Sequence, residues 1–150
     1  MVFGTVGASK GVMPSERILV VDDDAAILRL VATVLRREHY DVHTANGGRD
    51  ALSKIERIQY DVVVLDLMMP EVSGHDVLKG LAVRHPQMKC VVIMSAASHF
   101  DLANSVTPNV FAALRKPFDI EALITAVRDC VEASCEPAGP SHPLPVPKAA

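Results

Sequence analysis

The sequence has no apolar run near the ~20 residues that a membrane-spanning helix requires, and no surplus of positive charge. Fifteen Lys and Arg stand against eighteen Asp and Glu, a net charge of −3, and the pI is near 6.0. Without a basic block, the chain lacks the electrostatic footprint of a protein that binds nucleic acid by itself. Residues 1–14 show no charged region followed by an apolar one, so a secretory signal is not expected. Cysteine is scarce: Cys90, Cys130 and Cys135 are an odd three, set in or beside apolar runs. They read as reduced thiols serving as small core hydrophobes, which suits a cytoplasmic protein. No Cys/His cluster offers a zinc site. His39 and His43 fall across a helix–strand junction, the other histidines are scattered, and all read as solvated surface. There are no internal repeats.

What is present suits a folded chain. With 150 residues, 49% of them apolar and 22% charged, a single domain buries roughly 70% of its unfolded surface and needs neither disulfide nor structural metal. The two ends differ from the middle. Residues 1–15 carry Gly4, Gly7 and Gly11 without any period, and 136–150 hold Pro137, Pro140, Pro143, Pro145 and Pro147. Proline removes a backbone donor, so the second stretch forms neither helix nor central strand. The expected organisation is a flexible N-terminal tail over 1–15, a folded domain over 16–135, and a Pro-rich C-terminal tail over 136–150.

Within the domain, short apolar runs alternate with helical periodicity. Ile18–Val21, Val62–Leu65, Val91–Met94 and Phe111–Leu114 are continuous apolar runs, the pattern of strands buried on both faces of a parallel sheet. A weaker run, Tyr40–Ala45, alternates as an edge strand does. Between them, 25–38 places Ile27, Val31, Val34 and Leu35 on one helical face behind Asp24, a good N-cap. The segment 48–58 offers Ala51, Leu52, Ile55 and Ile58. The segment 75–84 offers Val77, Leu78 and Leu81, and 119–133 offers Leu123, Ile124, Val127 and Val131 behind Asp119. A weaker helix is expected at 98–107. Five strands alternating with five helices predict an α/β fold, a doubly wound five-stranded parallel sheet with helices on both faces.

Four runs end in chemistry. Ile18–Val21 leads into Asp22, Asp23 and Asp24; Val62–Leu65 into Asp66; Val91–Met94 into Ser95; Phe111–Leu114 into Arg115 and Lys116. In a parallel sheet all strand C-termini share one edge, so four separate stretches converge on one crevice. Carboxylates gathered there repel unless a cation intervenes. Lys116 supplies one positive charge, and a hard divalent ion such as Mg²⁺ would supply two more. A carboxylate nucleophile, a hydroxyl donor and a lysine together suit phosphoryl transfer.

The strings ILVVDDD at 18–24, DVVVLDLMMP at 61–70 with Gly74, VVIMSA at 91–96 and KPF at 116–118 resemble the receiver domain of two-component response regulators over residues 16–135. The resemblance implies the flavodoxin-like strand order 2-1-3-4-5. It implies Asp66 as phosphoacceptor, with Asp22, Asp23, Asp66 and the backbone carbonyl of Met68 as ligands of Mg²⁺. It further implies Ser95 as the hydroxyl that moves to the phosphoryl group, Lys116 as its cationic contact, and a cis bond before Pro117. Asp24 reads as a helix cap and not a ligand. A sensor histidine kinase or histidine phosphotransfer protein is the implied donor, no nucleic acid or membrane is contacted directly, and a phosphorylation-dependent dimer is open. Both a stand-alone receiver and a segment of a larger regulator or hybrid kinase fit.

Two positions depart from the family pattern. Ala113 stands where an aromatic is usual, and Phe111, expected on the same strand face, is about 7 Å further from the site. Aromatic coupling to the output face is therefore expected to be weakened or rerouted. Asn109 stands where glycine is usual, and asparagine tolerates a left-handed backbone. Met68 and Ala97, both apolar, occupy the positions that tune phosphate loss in the family. A rival reading takes Asp22 and Asp24 as nucleophile and acid of an aspartate-dependent phosphatase resembling the haloacid dehalogenases. Ala25, where that family prefers Thr or Gly, argues against it. A flavodoxin-like cofactor binder fails for want of a phosphate loop after the first run.

Overall fold

The structure, a computed structural model, describes residues 15–88, 90–96 and 109–135. The expected helix at 98–107, Ala97 and the two expected tails (apart from Ser15) lie outside them. The strands are β1 (Arg17–Val21), β2 (Asp41–Ala45), β3 (Val62–Asp66), β4 (Val91–Ser95) and β5 (Val110–Arg115). The helices are α1 (Ala25–Arg37), α2 (Gly48–Arg57), α3 (Gly74–Arg84) and α4 (Ile120–Cys135). All neighbouring strands are parallel, in the order β2-β1-β3-β4-β5. That order is the one the resemblance implied.

Burial explains the apolar runs. Every residue of β3 and β4 is buried, and all of β1 except Arg17, because helices cover both faces. On one face Leu19, Leu65 and Ile93 meet Ala51 and Ile55 of α2 and Val77, Leu78 and Leu81 of α3. On the other, Val20, Val64 and Val92 meet Val31 and Leu35 of α1 and Leu123 and Val127 of α4. In α1 the buried stripe is Leu28, Val31, Ala32 and Leu35, with Ile27 and Val34 at its margin, a small rotation from the expected face. In α4, Ala126 and Cys130 join the core.

Helix starts follow local chemistry. The Asp24 carboxylate accepts hydrogen bonds from the backbone N–H groups of Ala26 and Ile27, as an N-cap should. Ser73 and Asp76 form a reciprocal capping box at α3. Asp119 accepts from the N–H of Glu121 at 3.3 Å.

Four expectations are corrected. Phe111 does not share a face with Ala113. Val91 pairs with Val110 but Val92 pairs with Ala112, so Phe111 is the extra residue of a β-bulge. Phe111, Ala112 and Leu114 pack in the α1/α4 layer, whereas Ala113 packs in the α2/α3 layer. Asn109 does not use left-handed backbone; among described non-glycine residues only His39 and Glu71 do. It is buried, and its side-chain amide donates to the Met88 carbonyl. His43 is not merely solvated: its Nδ1 lies 2.9 Å from the Tyr60 hydroxyl. Finally, Cys90 and Cys130 are not free thiols but a disulfide, because β4 and α4 bring together residues far apart in sequence.

Gly74 opens α3 directly beneath the end of β3. A methyl group there would press on the Asp66 carbonyl oxygen and lie 2.5 Å from Leu67 Cα. Neither is the end of a flexible side chain, so the backbone must yield. Gly74→Ala is expected to destabilise the fold by about 1–3 kcal/mol, read as a lowered midpoint in urea denaturation.

Candidate functional site

The acidic residues stand where β1 and β3 end. Asp22 follows β1 and is fully buried, while its neighbour Asp23 is exposed. Asp66 is the last residue of β3 and only 3% exposed. One carboxylate oxygen from each of Asp22, Asp23 and Asp66 lies within 4.8 Å of the others. Asp24 is outside this group, its carboxylate committed to the start of α1.

Lys116, just past β5, answers the charge. Its Nζ donates to Asp22 at 2.7 Å and stands 3.5 Å from Asp66. The Lys116 N–H also donates to the Ser95 carbonyl at 2.8 Å, which ties the ends of β4 and β5 together beside the acids. The Lys116–Pro117 bond is cis, as the resemblance implied. Asp22 accepts a second hydrogen bond from the Asp24 N–H at 2.9 Å, and Asp66 accepts one from the Met68 N–H at 3.2 Å. Ser95 is fully buried at the same edge, one residue beyond Met94, which pairs with Asp66.

The electrostatics follow from this crowding. Burial first, and the charge of Asp22 second, push the Asp66 carboxyl up from 3.8 to about 6. Lys116 and the Met68 N–H pull it back only in part. Burial disfavours the Lys116 ammonium, but the hydrogen bond and charge of Asp22, then Asp66, outweigh it and hold its pKa above the ordinary value. One lysine against three carboxylates leaves uncompensated negative charge. The donors are all hard oxygens, so the set fits a divalent ion of the Mg²⁺ type.

Sequence reasoning placed Asp22, Asp23, Asp66 and Lys116 in one site, and the structure brings all four together. It missed the neighbouring cleft of about 210 Å³, whose lining includes Asp23, Asn46, Arg49, Pro70 and Glu71. Glu71 holds a left-handed φ of 65° there, uncommon for a residue with a side chain. The available signals were Gly47-Gly48 and Pro70, loop residues on two different connections. A larger hollow of about 460 Å³, lined by Tyr60, Asp61, Arg84 and His85 among others, involves none of the acidic cluster.

Because Asp66 is harder to ionise in the folded chain, its contribution to stability is full below 3.8 and is lost as the pH rises through about 6. Asp66→Asn keeps the shape without the charge. In metal-free buffer it is expected to raise stability at pH 7 by about 1–3 kcal/mol, with the gain fading as the pH falls toward 4. Urea denaturation across that pH range checks both the sign and the window.

Comparison with known proteins agrees with this geometry. A model of the response regulator receiver domain matches residues 18–128. The transcriptional regulatory protein TrcR of Mycobacterium tuberculosis is 30% identical over 118 residues, which cover 79% of this chain and 46% of that protein. The chain thus spans about half the length of that relative, and 26% of the Escherichia coli transcriptional regulatory protein GlrR. Among solved structures, a CheY-like receiver domain protein of Methanospirillum hungatei superposes with a TM-score of 0.74 at 28% identity. That match covers 79% of this chain and 95% of the other. The response regulator TrrA of Thermotoga maritima, in complex with Mg²⁺–BeF, gives a TM-score of 0.69 at 32% identity, covering 77% and 98%. No described helix is long and apolar enough to cross a membrane. With its sheet order, its acidic strand edge and a family model spanning most of its length, the chain belongs to the response regulator receiver domain family of two-component signalling.

Proposed function

We propose that Asp66 accepts a phosphoryl group from a phosphohistidine on a sensor histidine kinase or a histidine phosphotransfer protein. The observation that carries this reading is the nearly buried Asp66 carboxylate, set between two acids and the Lys116 ammonium at the C-terminal edge of the sheet. An Asp66 oxygen forms the new P–O bond as the P–N bond of the donor breaks, and the imidazole leaves with the electron pair as a neutral ring, its other nitrogen already carrying a proton. Lys116, already 3.5 Å from Asp66, neutralises the charge that the phosphoryl oxygens bring. Ser95 supplies a hydroxyl donor to one of those oxygens.

Asp22, Asp23, Asp66 and the Met68 carbonyl would hold Mg²⁺, which when bound supplies positive charge for the phosphoryl oxygens. The Mg²⁺–BeF complex of the Thermotoga maritima relative supports that choice of ion. Asp22 is the poorer nucleophile: it is fully buried and its carboxylate is taken by Lys116 and the Asp24 N–H. The haloacid dehalogenase alternative is correspondingly disfavoured, since its acid, Asp24, caps α1.

Phosphorylation biases the surface formed by the last strand and helices between two packings, and a downstream protein reads that surface. With Ala113 on the α2/α3 side of β5 and Phe111 turned to the other layer, no β5 aromatic couples the two on that side. The switch then rests on Ser95 and Lys116.

Incubation with acetyl phosphate and Mg²⁺ is expected to add one phosphoryl mass to the wild-type chain. None should appear on Asp66→Asn or in EDTA. A wild-type chain that gains no mass overturns the reading. Met68 offers the site an apolar side chain that is 60% exposed and cannot orient a hydrolytic water, and Ala97 is equally apolar. Loss of phosphate is therefore expected to be slow, and a half-life of seconds, measured by the decay of the phosphorylated mass, would contradict that.

A further inference from the structure

At the sheet edge opposite the acids, Cys90 stands immediately before β4 and Cys130 lies in the last turns of α4. Their sulfurs are joined, with the Cα atoms 5.5 Å apart and 40 residues between them in sequence, a spacing that suits a disulfide. Cys90 is 2% exposed and Cys130 0%. The surroundings also suit the separated thiols. Cys90 Sγ lies 3.0 Å from the Cys130 carbonyl oxygen, which would accept from its S–H. Ser134 Oγ is 2.8 Å from the same sulfur and donates to the same carbonyl at 3.0 Å. These two groups are the polar neighbours that the Cys90 thiol would have on reduction.

We propose that Cys90 and Cys130 form a reversible redox lock on α4. Toward its start, α4 is held by packing of Leu123, Ala126 and Val127 on the sheet. Toward its end, the disulfide makes separation from β4 impossible without breaking a bond, whereas the reduced chain relies on packing and the weak hydrogen bonds of the Cys90 thiol. The layer it clamps is the one that contains Phe111, so the lock acts on a different face of β5 from Ala113.

The oxidant class is a small disulfide. One cysteine thiolate attacks it, forming a mixed disulfide and releasing one small thiolate. The second cysteine thiolate then displaces the other, so two protein thiols are oxidised and the small disulfide is reduced to two thiols. Because both sulfurs are buried, exchange proceeds through local opening of the end of α4.

The test does not depend on phosphorylation, so its failure is separate from failure of the phosphoacceptor reading. Chain carrying Cys135→Ser is equilibrated in mixtures of oxidised and reduced glutathione, denatured, alkylated and weighed intact. Wild-type chain read by peptide mapping serves should that variant not fold. Both cysteines are expected to be protected together in oxidising mixtures and alkylated together in reducing ones. Amide hydrogen exchange over 126–135 is expected to slow at least about tenfold on oxidation. Full alkylation in excess oxidised glutathione would overturn the proposal. A bond that persists in excess reduced glutathione, or equal exchange rates in the two states, would overturn it as well.

Discussion

Negative charge gathered at one sheet edge, and held there by a single described lysine, is the constraint on which the site depends. β1 and β3 are neighbours and parallel, so their C-termini must deliver Asp22, Asp23 and Asp66 to one place. Burial, and then the charge of Asp22, make Asp66 hard to ionise, while the hydrogen bonds and charges of Asp22 and Asp66 outweigh burial and make Lys116 hard to deprotonate. A cation bound there, or a phosphoryl group as proposed on Asp66, would change this balance. Three carboxylates against one lysine make the edge more than a simple ion pair.

The last strand sets which layer each of its side chains enters. Its bulge lets β5 begin with Val110 in the α2/α3 layer, pass Phe111 and Ala112 to the α1/α4 layer, and resume alternation at Ala113. An inserted residue reverses the faces of everything on one side of it. The strand still ends with Ser95 opposite Arg115 and with Lys116 bonded to the Ser95 carbonyl, so Lys116 stays beside the acids while Phe111 lies in the other layer. Asn109 secures the start of the same strand through Met88. The Cys90–Cys130 bond secures the layer into which Phe111 turns.

The apolar runs, the caps Asp24 and Asp119, and the acids and lysine at the strand ends were legible in the sequence. Each is a local pattern, or follows from the rule that parallel strands end together. The helical faces were legible to within a small rotation, because Leu28 and Ile27, or Cys130 and Val131, are adjacent on the helix and periodicity alone hardly separates them. The bulge was not legible: VFAAL is apolar at every position, so no alternation marks which residue is extra. The His43–Tyr60 contact was hidden because it joins residues from two different stretches.

The sequence by itself determined the layered α/β fold and the residues that meet at its acidic edge, since runs of β-branched residues and their polar ends carry that information locally. Only the tertiary structure decided which layer receives Phe111, how far burial perturbs Asp66, and that Cys90 meets Cys130. Those outcomes depend on register between strands and on the distance between helix and sheet, which arise when separate segments pack.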